Sequence, residues 1–176
     1  MNLRQLKFIT ITLCFFLTFS MQCINAQENL RDAEEVAVSY MTAFFHGDIE
    51  TAVSLMHQDT LEDLRDIFLS ELNEAKSENR ETDFLSKIEI QIDPIHLESM
   101  NLHDLAVLLI SSNQRTGSSS TLEKMKQVAV NVEQSELVGV NEAIVQLKIA
   151  IPENSTVPSQ VAELFLVNKG DVWRVK

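Results

Sequence analysis

Residues 30–72, LRDAEEVAVSYMTAFFHGDIETAVSLMHQDTLEDLRDIFLSEL, carry three apolar stripes at helical spacing. Leu30, Ala33, Ala37, Tyr40 and Phe44 recur every three or four positions, while Glu35, Ser39, Thr42 and His46 share another face. That is the pattern of an amphipathic helix lying on a core. Gly47 can take the left-handed conformation that closes such a helix, and Asp48 can accept the first free amides of the next one. Ile49, Ala52, Val53 and Met56 supply the second stripe. Asp59, with Glu62 three positions on, has the form of a capping box and introduces Leu61, Leu64, Ile67, Phe68 and Leu72. The polar run from Asn73 to Glu81 reads as a solvated helix tail or a loop.

Further along the chain the period changes. Ile88, Ile90 and Ile92 alternate with polar residues ahead of Pro94, which predicts a short half-buried strand. Asn101 can cap a helix from Leu102 to about Ile110, apolar all round between Leu105 and Ile110 and so expected deep in the fold. Ser111 to Ser120, with five serines and a glycine, is expected to be a loop dividing a helical half from a strand-rich half. Val128, Val130 and Val132 alternate, as do Ala143, Val145, Leu147, Ile149 and Ile151, predicting a β-hairpin with its turn near Asn141-Glu142. Beyond Pro152 and Pro158, Val161–Val167 and Val172–Val175 flank the turn chemistry of Asn168-Lys169-Gly170-Asp171.

Residues 1–26 stand apart. Arg4 and Lys7 precede the mostly apolar run Phe8–Phe19, and Ala26 ends a small-residue site before Gln27, the order of a secretory signal peptide. Cleavage after Ala26 and an exported, periplasmic or secreted, location are expected, with a retained anchor as the alternative. One α+β domain then occupies 27–176. Both cysteines, Cys14 and Cys23, lie in the leader, so the mature domain must hold together by burial and not by disulfides. The formal charge of −12 becomes about −14 without Arg4 and Lys7, from 12 basic and 26 acidic residues. Such a balance argues against nucleic acid and anionic lipid as partners.

Two segments carry a family resemblance. Tyr40-Met41-Thr42-Ala43-Phe44-Phe45-His46-Gly47-Asp48-Ile49-Glu50-Thr51-Ala52 resembles the first helix, Gly-Asp corner and second helix of the nuclear transport factor two-like superfamily, also called SnoaL-like or cystatin-like. Ala162 to Val175, with Trp173 after the Gly170-Asp171 turn, is similar to that superfamily's last hairpin. The resemblance implies N-terminal helices packed on a curved antiparallel sheet, as a cone with a pocket between helices and sheet. It brings no ligand with it, because members differ widely in function. By the same resemblance, Tyr40 and an acid from Asp59 to Asp63 match the tyrosine and general base of ketosteroid isomerase-type members. Those enzymes need the acid in an apolar pocket that raises its pKa.

Bland readings compete with the chemical ones. Asp59 serves equally as a helix cap, and Asp63 as part of a solvated face. No pair among His46, His57, His96 and His103 has metal-ligand spacing, so no metal is expected. No nucleophile elbow or phosphate-cradling loop appears, and no cofactor is expected. Asn154-Ser155-Thr156 fits a glycosylation acceptor. Tyr40, Phe44, Phe68, Phe165 and Trp173 are the candidate pocket residues, although aromatic side chains are more often plain core. The expectation is therefore an exported domain that binds a small apolar ligand or a protein partner without evident catalysis. A small isomerase or hydrolyase using Tyr40 is the alternative. Apolar residues on both sheet faces would point instead to a homodimer formed through the sheet.

Overall fold

The computed structural model describes residues 26–115, 123–151 and 159–176. Helix α1 covers 26–46 and is followed by α2 (Ile49–Ser54), α3 (Gln58–Ser77), α4 (Glu81–Lys87), α5 (Pro94–Ser99) and α6 (Leu102–Arg115). Strands β1 (Ala129–Leu137), β2 (Glu142–Ala150), β3 (Gln160–Asn168) and β4 (Trp173–Val175) form one antiparallel sheet in chain order. The fold is α+β, helices first. Residues 1–25 of the leader, residues 116–120 of the serine-rich stretch, Pro152, Pro158 and the glycosylation motif lie outside the described residues.

Among the described residues, three apolar clusters divide the interior. Ala33 and Ala37 of α1, both fully buried, meet Ala143, Val145, Leu147, Leu166, Trp173 and Val175 on one face of the sheet. Small residues on α1 let the helix backbone sit close to the strands. Phe68 and Leu72 of α3 gather Leu85, Ile90, Leu97, Leu105 and Leu109 into a second cluster made only of the helical half. Ile49, Val53 and Ala106 join α2 to α6 in a third.

Backbone hydrogen bonds add to the α1 packing in joining the halves. The Val175 N–H donates to Leu55 O at 2.9 Å, and the His57 N–H donates to Val175 O at 2.7 Å, so the α2–α3 corner lies against β4 in a short parallel bridge at Met56. His57 is buried, and its Nδ1 accepts the Asp59 N–H at 3.2 Å. The cap of α3 is thus His57 and not Asp59, which sits in the exposed first turn where a negative charge suits the helix dipole.

Three helices stop in the same way. The α1 end at Gly47 (φ 79°), the α3 end at Asn79 (φ 57°) and the α4 end at Glu89 (φ 55°) each have a left-handed residue followed by a paired return of amides. At α4 the Glu89 N–H reaches Ser86 O at 3.2 Å and the Ile90 N–H reaches Leu85 O at 3.0 Å. The strand expected over Ile88–Ile92 is therefore absent. Its alternation is produced by a reversal at Glu89 that turns Ile88, Ile90 and Ile92 all onto the second cluster. Pro94 then opens a helix, with Asp93 Oδ1 accepting the Ile95 N–H at 2.8 Å, and does not close a strand. Ser112, expected in a loop, is buried inside α6 and donates to Leu109 O at 2.8 Å. Ile67, counted in the α3 stripe, is 60% exposed.

The hairpin, the turn at 168–171 and the caps at Asp48 and Asn101 stand as expected. Thr51 N–H donates to Asp48 Oδ1 at 3.2 Å and Asp104 N–H donates to Asn101 Oδ1 at 2.9 Å. A left-handed glutamate costs about 1 kcal/mol that glycine does not incur. Glu89→Gly should therefore raise the unfolding free energy by roughly 0.5–1 kcal/mol in urea denaturation, where an extended strand at this position would be weakened by glycine.

Candidate functional site

The five candidate pocket residues do not converge. Tyr40 and Trp173 lie in or against the α1–sheet core, Phe44 flanks the α2–α6 cluster, and Phe68 belongs to the helical cluster. Phe165 is on the opposite face of the sheet, 51% exposed. Tyr40 and Phe44 stack along α1 with ring centroids 6.4 Å apart, and Phe68 meets Phe84 at 6.1 Å. Those pairs are packing. Trp173 is 3% exposed, and among the described residues its buried Nε1 has no hydrogen-bond partner.

Tyr40 is half-buried, and burial pushes its phenol above the ordinary value of 10.0. Asp59 and Asp63 are both exposed in the first turns of α3. An acid open to water lacks the apolar enclosure that a general base in this chemistry needs. Among the described residues no group of histidines and acids is placed to hold a metal ion, and no helix is long and apolar enough to cross a membrane.

The opposite face of the sheet offers more. Along β2 and β3, residues 143, 145, 147, 162, 164 and 166 point toward α1, and the intervening positions point away. Register places Ile144 beside Phe165, Glu142 beside Val167 and Lys148 beside Val161 on that outward side. Val138 and Lys176 close over the first two pairs, and the Lys176 N–H donates to Phe165 O at 2.8 Å. The result is an open cleft of about 400 Å³ with Ile144, Phe165, Val167 and Val138 as its apolar lining and Glu142 and Lys176 at the charged positions. Below it, Gln146 Nε2 donates to Glu163 Oε2 at 3.0 Å and ends the apolar patch in a polar row.

A second cleft of about 250 Å³ between α3 and α4 is lined by Glu71, Glu74, Arg80, Asp83, Phe84 and Lys87. Close by, Lys76 pairs with Glu98 and Glu81 and ties α3 to α5 and α4. The hydrogen bond to Glu98 holds the Lys76 ammonium above its ordinary range. This cluster braces helices.

Ile144, Val167, Val138 and Lys176 were not singled out by sequence reading. The signal for two of them was present: Ile144 and Val167 are apolar residues in phase with Phe165 and out of phase with the core alternation. No family model, curated protein or solved structure matches the chain.

Tyr40 is the one tyrosine of the chain, so its titration reads without interference. With the folded-state value raised, the neutral phenol is favoured by folding. The stability this gives is complete below the unfolded value and is lost as pH rises through the folded one. Phenolate absorbance should show the native chain titrating at higher pH than the urea-unfolded chain; coincident midpoints would place Tyr40 in water.

Proposed function

We propose that the chain is an exported, non-catalytic binding domain of the nuclear transport factor two-like kind. Its contact surface is the outward face of the sheet, which takes a small apolar molecule or a partner's apolar side chain in the cleft at Phe165. The observation that carries this reading is Phe165 itself. It is half-exposed on a strand whose other face is covered, with Ile144 and Val167 beside it. A large aromatic side chain exposed in a contiguous apolar patch beside a cleft is the kind of surface that meets a ligand or a partner.

Size decides between a ligand and a second copy of the chain. A stable homodimer buries roughly 800 Å² per partner, whereas one aromatic side chain with three aliphatic neighbours offers at most a few hundred. The polar row at Gln146 and Glu163 prevents the patch from widening. A dimer through this face remains the second reading, favoured by exposed Val161 further along β3. The isomerase alternative has less support, because Asp59 and Asp63 are solvent-exposed.

Export is part of the proposal. Cleavage after Ala26 spares the rest of α1 and leaves Gln27 as the first residue, which the intact mass of the secreted protein would reveal. For the cleft, Phe165→Ser should lower affinity for the fluorescent probe anilinonaphthalene sulfonate about tenfold, the equivalent of losing roughly half of a phenylalanine's burial. Stability should stay within about 0.5 kcal/mol, as for an exposed site. Unchanged probe binding removes the cleft reading, and a concentration-dependent mass in light scattering that Phe165→Ser abolishes would install the dimer instead.

A further inference from the structure

The sheet has two unlike edges. β4 is three residues long and is bonded on its far side to the α2–α3 corner through Val175. β1 is nine residues long, and among the described residues no strand lies beyond it. Antiparallel pairing turns the backbone groups of successive residues alternately toward and away from the neighbour. The Val138 N–H, which donates to Glu142 O at 2.9 Å, fixes the phase of that alternation. Carried along the register, it turns the N–H and C=O groups of Val130, Val132, Ser135 and Leu137 away from β2. A shift between Val132 and Gln134 leaves Glu133 as an extra residue and keeps Ser135 and Leu137 on the inner face with Val130 and Val132.

The edge is chemically two-sided. On the inner side Val130 and Leu137 pack partly against the α1–sheet core, Val132 is 37% exposed, and Ser135 donates to Glu34 of α1. Glu133 and Glu136 are exposed. A long open edge is a template for strand addition unless charge or a bulge blocks it. Here the bulge and the two acids oppose one occupant in particular. A second copy laid antiparallel along β1 would bring Glu133 and Glu136 near their own counterparts, on chains of net charge −12.

We propose that β1 receives an extended segment of a partner protein as a fifth strand, with lysine or arginine at alternate positions facing Glu133 and Glu136 and apolar residues between them covering Val130, Val132 and Leu137. The backbone of the edge supplies the affinity, and the acids select a basic partner over another copy of the chain. This site is separate from the Phe165 cleft and does not depend on it.

The test uses the full chain, isotope-labelled for amide NMR, and two peptides of nine residues, the length of β1. One alternates valine with lysine and the other alternates valine with glutamate. The lysine peptide should shift amides of 130–137 and bind about tenfold more tightly than the glutamate peptide, with the gap closing in high salt. The double variant Glu133→Lys, Glu136→Lys should invert that order. Val132→Pro removes an outward donor and should weaken binding; should it unfold the sheet, the charge-reversed variant still decides. Equal binding of both peptides, shifts centred on Phe165, no shifts at all, or self-association through β1 would each overturn the proposal.

Discussion

The two backbone hydrogen bonds of Val175, to Leu55 and from His57, are the constraint on which the rest of the arrangement depends. They fix the last strand against the corner between α2 and α3, and the first helix must then cross the sheet to reach that corner through Gly47. Ala33 and Ala37 make the crossing close enough to seal one face. With that face covered and β4 occupied, the parts of the sheet still open to a partner among the described residues are its outer face and the β1 edge. Where the domain can bind is therefore set by how its ends are tied together.

Much of this was legible because the relevant signals are local. Gly47, Asp48, Asn101 and the 168–171 turn each act through the conformation or the side-chain oxygen of a residue at a helix or strand end, so sequence alone locates them. Glu89 shows where that logic fails. Nothing in a glutamate announces a left-handed residue, and the reversal it makes gives three isoleucines the two-residue rhythm of a strand although they face one helical cluster. His57 fails for a related reason: its ring nitrogen replaces the oxygen that a sequence rule seeks, so the neighbouring Asp59 took its place. In both cases tertiary burial, at Ile90 and at His57, overrode a preference that was real but weak.

The candidate site was less legible than the fold, and the reason is the ambiguity of aromatic residues. Sequence identifies them as large and apolar without giving the direction in which each points. Tyr40, Phe44, Phe68 and Trp173 went to three different clusters because three separate helix and sheet contacts needed volume. Phe165 alone went outward, and its phase relative to Leu164 and Leu166 already encoded that. In a strand built of consecutive apolar residues the inward set is decided by which neighbours complete the core, a fact of register and not of composition.

The outer face and the free edge also meet. Glu136, Ile144 and Phe165 form one row across β1, β2 and β3, and the backbone of Lys176 continues it through its bond to Phe165. The row runs from an acid at the open edge, through two apolar side chains, to a basic residue at the other side. Adjacent strands lie about 4.8 Å apart, so a strand added at β1 would place its outward side chains one such step from Glu136 and two from Ile144. A basic side chain there would pair with Glu136 and lay its aliphatic stem toward the apolar patch, as long cationic side chains do when the charge is held at a rim. A strand bound at the edge would thus border the apolar surface around Phe165 without moving the sheet, and each site keeps its own contacts.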